Sequence, residues 1–228
     1  MIPIGIVFIC VGIALLLVAN KHRGVHSDMR TIDRMQISEL RPGIIAEISG
    51  TAQLEPPLVA PFSKVPCAWY GYEIERYEYV SGRQGQSWHR VWRENSKKRF
   101  RIYDGTGTVA VTPAEAAIEA PQVFEHTLEP GEVFPRPEFR NLTNLITGHK
   151  ARVRERAFPI GSPVYVFGSV FSSEDKLYMM RGRRPLYISS KPEEMMEQEV
   201  GRKAALFTLA GLIAMLGGIT LIVLQKIL

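Results

Sequence analysis

The chain offers one nucleophile with a base in reach of it on paper. Cys67 opens an aromatic run, and a hairpin return through Trp88–Trp92 would carry His89 back alongside it. That is the arrangement of a thiolate activated by an imidazole. The local context speaks for another role, because Cys67 follows Pro66 at the start of a run dense in β-formers, the place of a small buried residue. No catalytic residue is therefore assigned. His22 and His26 are four apart, a spacing that can chelate a metal from one helix face. They sit among Lys21, Arg23 and Arg30 and read as part of a basic flank, so no metal or cofactor is assigned. CxxC, HExxH, acidic calcium loops, GxSxG, phosphate-binding loops and dinucleotide fingerprints are all missing from the sequence. Gly105-Thr106-Gly107 reads as a turn, and Asn141-Leu142-Thr143 is a formal glycosylation sequon that a cytoplasmic domain would leave unmodified.

Charge is the stronger signal. Residues 81–101 carry Arg83, Arg90, Arg93, Lys97, Lys98, Arg99 and Arg101 against Glu94 alone. Residues 104–138 carry Asp104, Glu115, Glu119, Glu125, Glu129, Glu132 and Glu138 against Arg136. Lys150, Arg152, Arg154 and Arg156 then alternate, which on a strand places them on one face. Three readings stay open: pairing with the acidic segment inside the domain, contact with anionic lipid headgroups, and, weakest, nucleic acid, suggested by Trp88 and Trp92 among the basic residues. A binding surface, if the domain has one, is sought first at Arg90, Lys97, Arg99, Arg101, Arg152 and Arg154.

The elements that must position these residues follow from hydropathy and period. With 46% apolar and 22% charged residues the 228-residue chain averages out as an ordinary soluble protein, but the apolar residues gather at its ends. Ile2–Ala19 is 18 residues without a charge, and Ala204–Leu224 is 21 more. A bilayer core of about 30 Å takes roughly 17–25 such residues as a helix. The fold class expected is a membrane-anchored α+β chain, with a mostly-β soluble domain between two transmembrane helices. Its parts are a first helix over 1–20, a juxtamembrane segment over 21–43 (helical over 24–40), the domain over 44–191, a juxtamembrane helix over 192–203 and a second transmembrane helix over 204–225. The first helix reads as an uncleaved anchor, since no basic residue precedes it and no small-x-small site follows. Lys21, Arg23, Arg30, Arg34, Arg202 and Lys203 flank the inner ends, so the positive-inside rule puts the domain in the cytoplasm beside the plasma membrane. A single cysteine in the soluble part, Cys67, agrees with a reducing compartment.

Within the domain, period-two patterning predicts strands at 44–48, 67–80, 88–92, 100–104, 108–111, 150–157, 163–171, 176–180 and 185–189. Ser81–Gln86 reads as a turn, Pro113–Ala120 as one or two helical turns, Pro121–Pro137 as irregular and Glu138–Thr147 as a short helix.

Several blocks of this pattern resemble a known family. Ile48-Ser49-Gly50-Thr51-Ala52, Pro57 to Ser63 and Pro66 to Glu75 are similar to the start of the GIDE domain, also called BAM for "beside a membrane". Phe100 to Gly107, Val111-Thr112-Pro113, Glu155, Ile160-Gly161 and Val164 to Gly168 continue the likeness over roughly 45–190. The resemblance implies that Gly50, Thr51, Pro61, Cys67, Tyr72, Asp104 and Gly107 are structural positions of the family motif. It also implies a domain between two membrane helices, as in mitochondrial outer-membrane E3 ubiquitin ligases, where a zinc-binding RING follows. A RING takes eight Cys and His ligands, whereas this chain has two Cys and five His, so the likeness is to a RING-less, prokaryotic-type member. The expected role is a non-catalytic binding or scaffold module with an unidentified protein partner. A ligase-like protein working with catalytic parts from another chain is the alternative, and a membrane-bound sensor of a small ligand a third reading.

Overall fold

The computed structural model of the chain describes residues 4–31, 34–79, 85–132, 134, 137–174, 176–191 and 193–227. Two compact units emerge, one made of the two chain ends and the other of Arg34–Ser190.

The first unit consists of two helices, α1 (Ile4–Thr31) and α2 (Glu193–Ile227). They pack antiparallel where side chains are smallest. A Cβ on Gly12 would lie 2.8 Å from the Gly211 carbonyl oxygen, and one on Gly211 would meet Gly12 and Leu16. Only glycine lets two backbones come that close. Both helices turn large apolar side chains outward, among them Val7, Phe8 and Leu17 on α1 and Leu209, Ile213 and Leu216 on α2. Among the described residues one stretch, Ala205–Ile222 of α2, is long and apolar enough to cross a membrane, whereas the apolar part of α1 runs from Ile6 to Val18.

The second unit is built of strands β1 (Ile45–Gln53), β2 (Leu58–Val59), β3 (Pro66–Tyr79), β4 (Gln86–Asn95), β5 (Phe100–Tyr103), β6 (Thr108–Val111), β7 (Ala117–Glu119), β8 (Gln122–Leu128), β9 (Lys150–Pro159), β10 (Pro163–Ser173), β11 (Lys176–Met180) and β12 (Tyr187–Ser189). The order β1-β5-β6-β11-β10 closes on itself through β1–β10 pairing and makes a five-stranded barrel, to which β12 and β7 are added on the far side of β10. Its interior is Ile48, Phe100, Ile102, Val109, Val111, Val166, Met179 and Ile188, all within 1% of full burial. The second sheet centres on β3, with β9 and then β8 on one side and β2 and β4 on the other. One of its faces packs Tyr72, Ile74, Ala151 and Val153 against Phe134, Phe139, Leu142 and Ile146, the last four contributed by the loop and 3-10 turns around Pro137–Leu145.

The strand expectations hold across the domain, and three local ones do not. Residues 113–120 are not helical turns: Ala117–Glu119 is a strand, paired in parallel with β12. Residues 121–137 are not irregular throughout, because Gln122–Leu128 pairs along β9. The helical reading of 24–40 ends at Thr31. Beyond it Arg34 forms a bridge with Glu47, Ile37–Glu39 is one 3-10 turn, and Met35, Ile37 and Leu40 pack into the barrel core. Their spacing fits a helix face, but packing against the barrel core takes their apolar surface out of water without one. The turn expected over 81–86 and the helix start at Pro192 fall largely outside the described residues.

Candidate binding surface

The six basic positions singled out from the sequence fall into two groups. Arg90, Arg152 and Arg154 come together on the outward face of the second sheet, because β4, β3 and β9 lie side by side with Glu75 opposite both Arg90 and Arg152, and Glu73 opposite Arg154. Arg152 grips Glu75 Oε2 through Nε at 2.9 Å and Nη2 at 2.6 Å. Arg154 Nη2 reaches Glu75 Oε1 at 2.6 Å and Glu73 Oε1 at 2.9 Å, and Arg90 Nη1 reaches Glu73 Oε2 at 3.4 Å. The Arg152 guanidinium also lies over the Trp88 ring, 4.4 Å from its centre. The Arg152 and Arg154 charges are mostly sheltered and their forks are held by these carboxylates, whereas Arg90 is half exposed.

Internal pairing thus accounts for these arginines, and their acids come from β3. The acidic segment 104–138 supplies Glu129 to Lys150 at 2.6 Å and Glu115 to Arg181 at 3.1 Å.

Lys97, Arg99 and Arg101 lie elsewhere, on the link into β5 and on the barrel wall. Arg99 donates to Thr112 Oγ1 at 3.0 Å and stands over the Tyr178 ring at 5.0 Å. Arg101 faces outward between Gln53 and Ala110. With Lys176 and Tyr178, Arg99 and Arg101 border a groove of about 770 Å³ at that end of the barrel.

The residues of the family-like motif have specific contacts. A Cβ on Gly50 would collide with the Tyr103 carbonyl, and Thr51 Oγ1 donates to the same oxygen at 3.3 Å. Asp104 is a hub. Its carboxylate accepts the Ile37 N–H at 2.7 Å, the Thr106 N–H at 2.8 Å, the Gly107 N–H at 3.0 Å and the Thr106 hydroxyl at 2.8 Å. Burial opposes its charge, but these donors prevail and hold it below the usual carboxylate range. Gly107 lies against Ile37, where a Cβ would come within 3.1 Å of Cγ2. The Tyr72 hydroxyl donates to Glu94 at 2.7 Å, and burial together with that carboxylate raises its pKa.

Pro61 and Cys67 belong to one arrangement centred on a residue that sequence reasoning named only as part of the likeness, Glu155. Its side chain is fully buried, and its two oxygens accept the N–H groups of Phe62 at 2.8 Å and Ser63 at 2.7 Å. It forms no ion pair among the described residues. The carboxylate therefore fastens the Ala60–Ser63 turn, which contains Pro61, onto β9. Cys67 packs beneath this turn with Ala60 and Ala157. Burial and the Glu155 charge push its thiol up to about 11, the opposite of what a nucleophile needs. His89 is paired opposite Arg76, nine residues along β3 from Cys67, or about 30 Å at strand spacing. The thiol–imidazole pair does not form. His89 Nε2 is instead 2.9 Å from Ser87 Oγ.

No curated protein and no solved structure matches the chain. A family model does, over residues 72–224, from the middle of β3 to the end of the apolar stretch of α2. That model carries the description E3 ubiquitin ligase. With two thirds of its length matched, the chain belongs to the GIDE family.

Proposed function

We propose that the chain is a two-pass membrane protein that presents its β domain beside the membrane as a non-catalytic binding or scaffold module. The observation that carries this reading is the extent of the family match, which runs unbroken from the β domain through the candidate membrane span. Domain and apolar helix belong to one inherited unit. The outward apolar side chains of α1 support a second span, since such a surface is costly in water and its glycine contact with α2 is of the kind that joins helices in lipid. The basic residues at the inner helix ends support a cytoplasmic domain at the plasma membrane.

Non-catalytic action is favoured by the fate of the reactive groups. The buried thiol is held protonated and far from the histidine that would activate it. The test is ubiquitin discharge by the purified chain in detergent with E1 and a panel of E2 enzymes. No discharge is expected, and discharge dependent on this chain overturns the reading. Topology is tested separately. Because Cys67 is buried, the reporter is Lys97→Cys in a Cys10→Ala background. Labelling by an impermeant maleimide is expected only after the cells are permeabilised.

A further inference from the structure

The outward face of the second sheet carries more cations than its acids occupy. Glu73 and Glu75 are taken up by Arg90, Arg152 and Arg154, and Glu125, opposite Arg154 on β8, accepts from Gln122 Nε2 at 2.9 Å. Arg93 on β4 and Arg156 on β9 are exposed and form no ion pair among the described residues. Register sets Arg93 opposite Glu73 and Arg156 opposite Gly71, two residues apart along β3.

These two arginines border a pocket of about 250 Å³, with Arg90, Arg154, Glu73, Asn95, Tyr72 and Trp69 among its other polar lining and Ile118 of β7 as its wall on the barrel side. Gly71 lets the Asn95 side chain and the Trp69 indole close over β3 beside the pocket, since a Cβ there would strike both. Trp69 is only 3% exposed, and its indole N–H has no hydrogen-bond partner among the described residues. The Nε–H of Arg154 is in the same condition. A buried donor is ordinarily matched to an acceptor. Here two exposed guanidinium forks border one concavity whose single carboxylate among the described residues, Glu73, is already shared by two other arginines, and two further donors buried in its lining have no acceptor.

We propose that this pocket binds a phosphate group, carried either by a small phosphorylated solute or by a lipid headgroup. A phosphate offers several acceptor oxygens in tetrahedral directions and up to two charges, which suits forks arriving from β4 and β9 on opposite sides of Gly71. A carboxylate, with two coplanar oxygens, leaves more of these donors unmatched. The volume is below the roughly 300–1,000 Å³ typical of sites for drug-sized ligands, so a headgroup fits and a larger body stays outside. The inference deepens the binding-module reading and rests on it, but not on the topology.

The experiment titrates the full chain in detergent with inorganic phosphate, pyrophosphate, glycerol 3-phosphate, short-chain phosphatidic acid and acetate, reading the indole N–H resonances of Trp69, Trp88 and Trp92. The phosphates are expected to shift the Trp69 signal. The Arg93→Gln/Arg156→Gln double variant, which removes two exposed and unpaired side chains, is expected to weaken binding about tenfold or more. Arg99→Gln/Arg101→Gln, an equal loss of charge on the barrel, should stay within about twofold of the parent. Tighter binding of phosphatidic acid than of glycerol 3-phosphate assigns the phosphate to a lipid, and equal binding to a solute; either supports the site. Unmoved Trp69 resonance, equal loss in both double variants, or acetate binding as tight as phosphate overturns it. If phosphate fails while a protein partner co-purifies with the membrane-extracted chain, the inference falls and the binding-module reading stands.

Discussion

Replacing Glu155 by glutamine keeps the shape of the side chain and removes its charge, which isolates what the two backbone bonds contribute. In the native chain both carboxylate oxygens accept, at 2.8 and 2.7 Å, with no water-exposed surface. The amide of Glu155→Gln can accept from one N–H, and its own N–H₂ then faces the other. One charge-assisted bond becomes a neutral one, a loss of about 1 kcal/mol, and one buried donor is left without an acceptor, a further cost of about 1–3 kcal/mol. Neutralising a buried charge returns part of this, because no cation among the described residues forms an ion pair with it. The net expectation is a destabilisation of about 2–3 kcal/mol. For a unit of about 150 residues that lowers Tm by roughly 4–12 °C. Glu155→Ala, which strands both donors and opens a cavity, should cost more, about 3–5 kcal/mol. The assay is urea unfolding of the detergent-solubilised chain followed by tryptophan emission, since all three tryptophans lie on β3 and β4. Hydrogen exchange supplies the local readout, with the Phe62 and Ser63 amides losing protection first. A loss of stability under about 0.5 kcal/mol in Glu155→Gln, or unchanged protection of those two amides in Glu155→Ala, would refute the argument.

Asp104→Asn should remove an acid-sensitive contribution to stability. The folded carboxylate titrates below its unfolded value, so its contribution is full above the unfolded pKa and is lost as the pH falls through the folded one; acid titration of the variant should show a flatter limb below about pH 4 and a stability at neutral pH reduced by about 1–3 kcal/mol. Gly50→Ala forces a methyl against the Tyr103 carbonyl between β1 and β5 and should cost about 1–3 kcal/mol by thermal unfolding; a neutral result would mean the strands can separate there. Cys67 should resist iodoacetamide at neutral pH in the folded chain and react once urea unfolds it, as read by intact mass, because the thiol is both buried and held protonated.

Much of the β domain was legible in the sequence. The run Trp69, Tyr70, Tyr72, Ile74, Tyr77 announced β3, and the alternation of Lys150, Arg152, Arg154 and Arg156 announced one face of β9. What stayed hidden was partnership. The acids that hold Arg152 and Arg154 lie nearly 80 residues upstream, and nothing local sets that register. Tertiary context also overrode propensity. Ala117 and Glu119 favour helix, yet parallel pairing with β12 draws them into a strand. β7 then walls the pocket through Ile118, a residue whose role no motif could signal. The buried indole N–H of Trp69 belongs to the same class, since its unmet bonding depends on what the fold sets around it. Alternation sets Glu155 on the face of Ala151, Val153 and Ala157, opposite the arginines, but only the fold shows the Phe62 and Ser63 amides that its carboxylate meets there.

The bridge from Arg34 to Glu47 has a consequence for how such a domain is handed between proteins. Glu47 is paired to Phe167, and Phe167 to Tyr187, so one transverse row joins the first strand-like residue of the domain to its last strand. Three strand spacings separate the ends, about 14 Å. A module whose two ends emerge side by side can be inserted into a host segment, removed from it or joined end to end without rethreading its interior. The domain is in this sense a cassette, whose first bridge and last strand lie in one transverse row.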